Sequence, residues 1–275
     1  MASSQQEIVI EPGRTQRHYW HDLWTYRELF AFLAWRDILV RYKQTVIGVA
    51  WSVLRPVLTM VVFTIVFGRI ARLPSDGVPY PILVFCAMLP WHFFASAVSE
   101  GSNSLIQNAN IVSKVYFPRL IVPASAVVVS FVDFLISLAL LAILLACYQF
   151  LPSPRVLLLP VFLALAILVS MGLALLLAAM NVRYRDFRYV VPFLIQFGLF
   201  ISPVGFSLSV IPERWRWLYS LNPMVGVIEG FRWSLLPGYM LDAGALLSSV
   251  LVSTIVLAAG VIYFRQTERS FADVI

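Results

Sequence analysis

Arg55 stands about ten residues into the apolar run of residues 46–68, and Asp133 stands inside another, residues 121–148. A guanidinium at bilayer depth costs about 2.5–3.5 kcal/mol on insertion scales, so something must compensate for it. A water-filled path, a phosphate of lipid or substrate, and the Asp133 carboxylate would each do so. A fourth route is snorkelling of the long side chain to the inner headgroups. Pro56, next in sequence, disturbs the helix ladder locally, which suits a helix lining something irregular.

The groups that catalysis would need are missing from the same sequence. A phosphate-binding loop of the G-x-x-x-x-G-K-[ST] type requires a lysine after glycine, whereas the two lysines, Lys43 and Lys114, follow Tyr42 and Ser113. Neither H-E-x-x-H nor G-x-S-x-G occurs, and His18, His21 and His92 are poorly placed for a metal cluster. Cys86 and Cys147 both fall in apolar segments without metal-type spacing and read as small buried hydrophobes. The chain is therefore expected to be no enzyme, and to hold no metal or cofactor of its own.

The elements that must position Arg55 are set by composition. Hydrophobic residues make up 60% of the 275, charged residues 12%, and mean hydropathy is +0.85, which leaves too little polar surface to cover a water-soluble domain. The net charge of +6 does not point to nucleic acid, because the basic residues lie between apolar runs rather than on one face. The first 45 residues show no removable signal peptide, so the first span acts as the insertion signal. A bilayer core needs about 20 apolar residues per helix. Six stretches qualify: residues 46–68, 79–98, 121–148, 156–180, 189–211 and 243–264. With six spans both termini share a side. Placing them in the cytoplasm puts thirteen of the 20 arginines and lysines inside and six outside, with Arg55 within a span, as the positive-inside rule requires.

The expected fold is thus an all-α membrane protein of six transmembrane helices, flanked by tails over residues 1–19 and 265–275. Residues 20–45 carry His21, Asp22, Thr25, Glu28, Arg36 and Lys43 on about a third of a helical wheel, with Trp20, Leu23, Trp24, Tyr26, Phe30, Leu33, Trp35 and Ile38 on the rest. Leu29, Phe32 and Leu39 blur the separation, and the aromatics suit an amphipathic helix in the inner interface. Residues 212–241 precede the last span and include Pro223, Pro237, Glu229 and Arg232. A full crossing would bury both charges, so a re-entrant pair of short helices on the outer side fits better, with Glu229 and Arg232 three apart and able to pair; an ordinary interfacial loop is the other reading.

Residues 108–119 read as a short helix of about two turns from an asparagine cap to Pro118, with Ile111, Val112 and Val115 on one flank. It is either a docking knob on the cytoplasmic side or a connecting loop. Aromatic residues are 14% of the chain. Trp51, Trp91, Phe93, Phe94, Phe193, Phe197 and Phe200 could line a path for a sugar or a greasy ligand, and Trp215 and Trp217 lie outside; the alternative for such residues is interface anchoring.

Six segments in order, RYKQTVIGVAWSVLRPV (41–57), LPWHFF (89–94), NIVSKVYFPR (110–119), NVRYRDFRYVVPF (181–193), SPVGF (202–206) and LNPM (221–224), resemble the membrane subunit of the ABC-2 type exporters that carry O-antigen, teichoic acid and related polysaccharides. Phe206 stands where many relatives have tyrosine. The resemblance implies a bacterial inner-membrane permease that works as a homodimer with two separate ATPase subunits, which bind the ATP and magnesium. It makes Asn110, Ile111, Lys114, Tyr116, Phe117 and Arg119 a coupling helix seated in the ATPase. It makes Trp215, Trp217, Glu229 and Arg232 an outer gate, and Arg55 or the arginines of residues 183–188 contacts for the pyrophosphate of a lipid-linked glycan. An ABC-2 drug or peptide exporter permease is the alternative within the family; a secondary transporter would need more buried acids than Asp133 and an internal repeat.

Overall fold

Prolines and turns cut the apolar chain into its helices. The computed structural model describes residues 15–43, 46–75, 77–184 and 186–271, apart from the side chains of residues 15–18, 20 and 46–49. Most of the expected N-terminal tail, Arg14, Arg185 and residues 272–275 lie outside the described residues. Every regular element among those described is helical. In chain order they are α1 (Thr15–Thr25), α2 (Arg27–Lys43), α3 (Val46–Phe63, continued by the π-helical stretch Thr64–Ile70), α4 (Tyr80–Gln107), α5 (Ala109–Lys114), α6 (Ile121–Cys147), α7 (Leu159–Arg183), α8 (Phe187–Ile201), α9 (Glu213–Tyr219), α10 (Pro223–Leu235) and α11 (Ala243–Thr267).

Among the described residues, five stretches are long and apolar enough to cross a membrane: Ala50–Ile70, Tyr80–Gln107, Ile121–Cys147, Pro154–Arg183 and Ala243–Ser270. The span expected over residues 189–211 is instead the 15-residue α8, about 22 Å long against a hydrocarbon core of about 30 Å. The reason is Pro203. Ser202 before it is extended, with ψ 151°, as a residue preceding proline prefers, and the helix cannot run through. The interface helix also differs from expectation. It starts at Thr15 and is interrupted at Tyr26, although bonds from Tyr26 N to Asp22 O (2.9 Å) and Phe30 N to Tyr26 O (3.1 Å) carry the ladder across. Its apolar residues occupy two sides rather than one: Leu33 and Ala34 are buried inward, while Trp24, Phe32 and Trp35 are exposed.

α4 is the axis of the bundle. Residues 82–91 are buried without interruption, enclosed by α6, α7 and α10, and α11 packs on α7. The α7–α11 contact depends on two small residues: a Cβ added to Gly260 would lie 2.2 Å from the Gly172 carbonyl oxygen. Such close backbone approach is how helices gain packing energy without a hydrophobic driving force between them. Because α4 starts beside α10 and ends at α5, beside α2, the bundle has a far end carrying α9 and α10 and a terminal end carrying α1, α2, α5 and the close of α11. A second core lies at the terminal end, where Leu33, Val112, Phe117, Val182, Phe264 and Phe271 meet.

Candidate functional site

Periodic polar residues on four helices face one another near the terminal half of the bundle. On α4, His92, Ser96, Ser99 and Glu100 recur at helical spacing, so one stripe of an otherwise apolar helix is polar. Asp133 and Ser137 on α6, Ser52 and Arg55 on α3, and Gln196 on α8 face that stripe, and Arg41 and Tyr42 close the rim from the end of α2. They surround a cavity of about 530 Å³ whose remaining wall includes Trp51, Phe93, Phe134 and Ile195.

Asp133 is not the partner of Arg55. Arg41 reaches it first, with Nη2 at 2.8 Å from Asp133 Oδ2, and a second Arg41 nitrogen lies 3.7 Å from Glu100. Tyr42 donates its hydroxyl to the other Asp133 oxygen. Burial and the adjacent carboxylate push the Tyr42 hydroxyl far above its usual range, so it stays a donor. Arg55 is exposed on α3, and no ion pair joins it to a described acid. His92 lines the same cavity with neither ring nitrogen hydrogen-bonded among the described residues, and its Nε2 is wholly buried. Arg41, Tyr42, His92 and Glu100 were not expected at this site. For α4 the signal was present in sequence as the 92, 96, 99, 100 spacing; for α2 there was none, because its place against α6 is a tertiary fact.

The expected path aromatics divide. Trp51 and Phe93 line the cavity, Phe93 as a buried residue that meets the Phe134 ring edge-on at 5.9 Å, but Trp91 and Phe94 are core residues of the single chain, the Trp91 ring lying against the site of Gly198. Phe193 and Phe197 stack at 6.0 Å on an outer face of α8, exposed with Phe200.

At the far end, Arg232 is fully buried and donates to Phe206 O (2.8 Å), Val204 O (3.2 Å) and Leu83 O (3.4 Å), with Glu229 Oε1 at 3.4 Å. Tyr239 donates to Glu229 at 3.0 Å. The pairing expected from sequence is present, and Arg232 cages the bend after α8 through backbone carbonyls, taking the main-chain oxygen of Phe206 rather than its side chain. Trp215 and Trp217 on α9 are exposed.

At the terminal end α5 is shorter than expected, one helical turn and a half, and Asn108 makes no side-chain cap. Its amide donates back to Ser104 O and its Oδ1 accepts from Arg36 at 2.6 Å. Val112 and Phe117 are buried; Asn110, Lys114, Val115 and Tyr116 are exposed, so Val115 does not join the inner flank, and Ile111 is half-buried. Arg119 donates from its backbone N to Glu268 Oε1 (2.7 Å) and from its guanidinium to Glu268 O. The Arg265 guanidinium lies 4.7 Å from the Tyr19 ring, whose hydroxyl is pushed far above its usual range by burial and by Glu268. The segment after α5 is thereby tied to both ends of the chain.

Residues 28–236 match the model of the family described as ABC-2 type transporter. The chain is 30% identical over 255 residues to the O-antigen export system permease protein RfbA of Myxococcus xanthus, an alignment covering 92% of this chain and 97% of that protein. It is 25% identical to a protein of the same name from Klebsiella pneumoniae, over 90% and 95% of the two chains. It is 23% identical to the polysialic acid transport protein KpsM of Escherichia coli, over 86% and 92%. With its apolar helical bundle and a family match over most of its length, the chain belongs to the ABC-2 type transporters.

Proposed function

We propose that this chain is the permease half of an ATP-driven exporter that moves a lipid-linked, O-antigen-like polysaccharide across the bacterial inner membrane. The observation that carries the reading is the near-full-length similarity to relatives named for O-antigen export and polysialic acid transport. Two copies work with two separate ATPase subunits. A chain without a phosphate-loop lysine needs such an engine, and ATP and magnesium belong to that partner. The helices α3, α4, α6, α7, α8 and α11 make six crossings, the shortness of α8 being made up by the bent segment after it. Both termini are cytoplasmic in this reading, which the cluster of arginines and lysines at the terminal end supports.

Closure of the ATPase pushes on α5 through Asn110, Lys114 and Tyr116. The Arg36–Asn108 and Arg119–Glu268 contacts pass the displacement to α2 and α11. The apolar outer faces of α3 and α8, with Phe193, Phe197 and Phe200, border the path between the two copies, and α10 is a re-entrant helix that, with α9, forms the outer gate. The test is co-reconstitution with the ATPase in vesicles. Lipid-linked glycan must appear in the opposite leaflet only with both subunits and ATP; ATP turnover by this chain alone, or transport without the partner, overturns the reading.

A further inference from the structure

We propose that a groove at the terminal end of the bundle, between α1, the segment after α5 and the close of α11, is a fixed site for an anionic phospholipid with a hydroxylated headgroup, phosphatidylglycerol in type. The groove has a volume of about 860 Å³, within the usual range of ligand clefts, about 300–1,000 Å³. One wall is the end of α11. Ile262, Arg265 and Gln266 recur there at three and four positions and so share a face, and Arg269 follows one turn on, in the short 3-10 turn Glu268–Ser270. That face changes from apolar to basic along its length. Ile262 is 58% exposed and belongs to the apolar stretch 243–264, and Arg265 is the first residue beyond it. An acyl chain against Ile262 and a phosphate at Arg265 and Arg269 follow the order in which a phospholipid meets a helix leaving the bilayer. Basic pockets beside spanning helices at the headgroup level hold anionic lipids in this way.

The charges in the groove select the headgroup. Five charged side chains line it: Arg119, Arg265, Arg269, Asp22 and Glu268. Arg119 and Glu268 already hold each other, through the backbone N on Oε1 at 2.7 Å and the guanidinium on the Glu268 carbonyl oxygen. Arg265 lies over the Tyr19 ring at 4.7 Å, and neither it nor Arg269 has a hydrogen bond or ion pair among the described residues. Two such guanidinium groups against the Asp22 carboxylate leave one net positive charge, which a phosphodiester monoanion neutralises. Its oxygens accept charge-assisted hydrogen bonds from both arginines, and a headgroup hydroxyl donates to Asp22. Free phosphate, or an acidic segment of a soluble protein, would match the arginines but leave Ile262 and Val261 without apolar cover. Phosphatidylcholine would cover them and leave the positive charge unmatched.

The site requires only that this end of α11 meet a headgroup layer; that the layer is the inner leaflet rests on the exporter reading. The experiment is therefore independent of transport. The full permease–ATPase complex is placed in vesicles carrying a trace of photoactivatable phosphatidylglycerol in both leaflets, and the labelled peptides are mapped. Label should concentrate on residues 115–119 and 261–269. Arg265→Gln and Arg269→Gln should each lower that labelling about tenfold, the size of one hydrogen bond to a charged group. Arg27→Gln, which removes an exposed positive charge elsewhere at the same end, should leave it unaltered. Added phosphatidylglycerol should also raise the thermal midpoint of the complex in neutral detergent, as a ligand of the folded state does, and the Arg265→Gln/Arg269→Gln double variant should lose that rise whatever its own baseline. An equal fall in Arg27→Gln means diffuse attraction and overturns the site. Equal labelling by photoactivatable phosphatidylcholine overturns the anionic selectivity on which the proposal stands. No label in the groove of the full complex overturns it as well, and assigns the groove to a protein partner.

Discussion

The Arg232 guanidinium lies 2.8 Å from the carbonyl oxygen of Phe206, joining a fully buried charge on α10 to the bend that ends α8. With Val204 O also accepting, one side chain satisfies two carbonyls of the bend at Pro203, and a longer contact of 3.4 Å to Leu83 O ties it to the first turn of α4. Broken backbone at membrane depth persists only when such groups are satisfied from within the protein.

Replacing Arg232 by Met should cost about 3–5 kcal/mol, because it strands both those carbonyls and the Glu229 carboxylate. Glu229→Gln in the same chain should recover part of that loss. Thermal unfolding in detergent measures both; an unchanged midpoint for the single variant would show that the cage does not hold the bend.

The end of α2 is held to α6 by Arg41 and Tyr42 on Asp133. Asp133→Asn should loosen it, read as several-fold faster trypsin cleavage at Arg41 and Lys43 in inside-out vesicles, with cleavage elsewhere unaltered.

The Tyr42 hydroxyl titrates above its ordinary value near 10. A group whose pKa is raised on folding favours the folded state fully below the unfolded value, and that contribution is lost as pH climbs toward the folded one. Anchoring of α2 should therefore be insensitive to pH up to about 10 and weaken above it. Ultraviolet titration of the tyrosines should show a late-ionising fraction that Tyr42→Phe reduces by one tyrosine.

At the α7–α11 contact, Gly260→Leu should force the helices apart and cost about 1–3 kcal/mol or more in detergent stability, since its Cβ would meet the Gly172 backbone. Gly244→Ala, where the nearest atom is the Asp242 carboxylate at 3.2 Å, should be mild by comparison.

Lys114→Glu should reduce partner-dependent ATP turnover several-fold without lowering stability, because Lys114 is exposed and α5 holds to the bundle through Val112. Arg36→Ala should leave ATPase binding intact but lower the stimulation of turnover by cargo, since it cuts the Arg36–Asn108 contact between α5 and α2.

By itself the sequence determined the apolar solvent, the all-helical class, five of the six spans it led one to expect and the family, because hydropathy over some twenty residues and ordered local motifs are properties of contiguous chain. It also placed Glu229 and Arg232 within reach, since three positions on a helix are neighbours. Local pattern read α8 too long, for the apolar run continues through Pro203 although the helix cannot. Only the tertiary structure decided that Asp133 belongs to Arg41 and Tyr42, the latter 91 positions away, and that His92 shares a cavity with Arg55. The same holds for the burial of Phe93. Those outcomes depend on which helix faces turn toward one another, and no single helix's sequence specifies its neighbour.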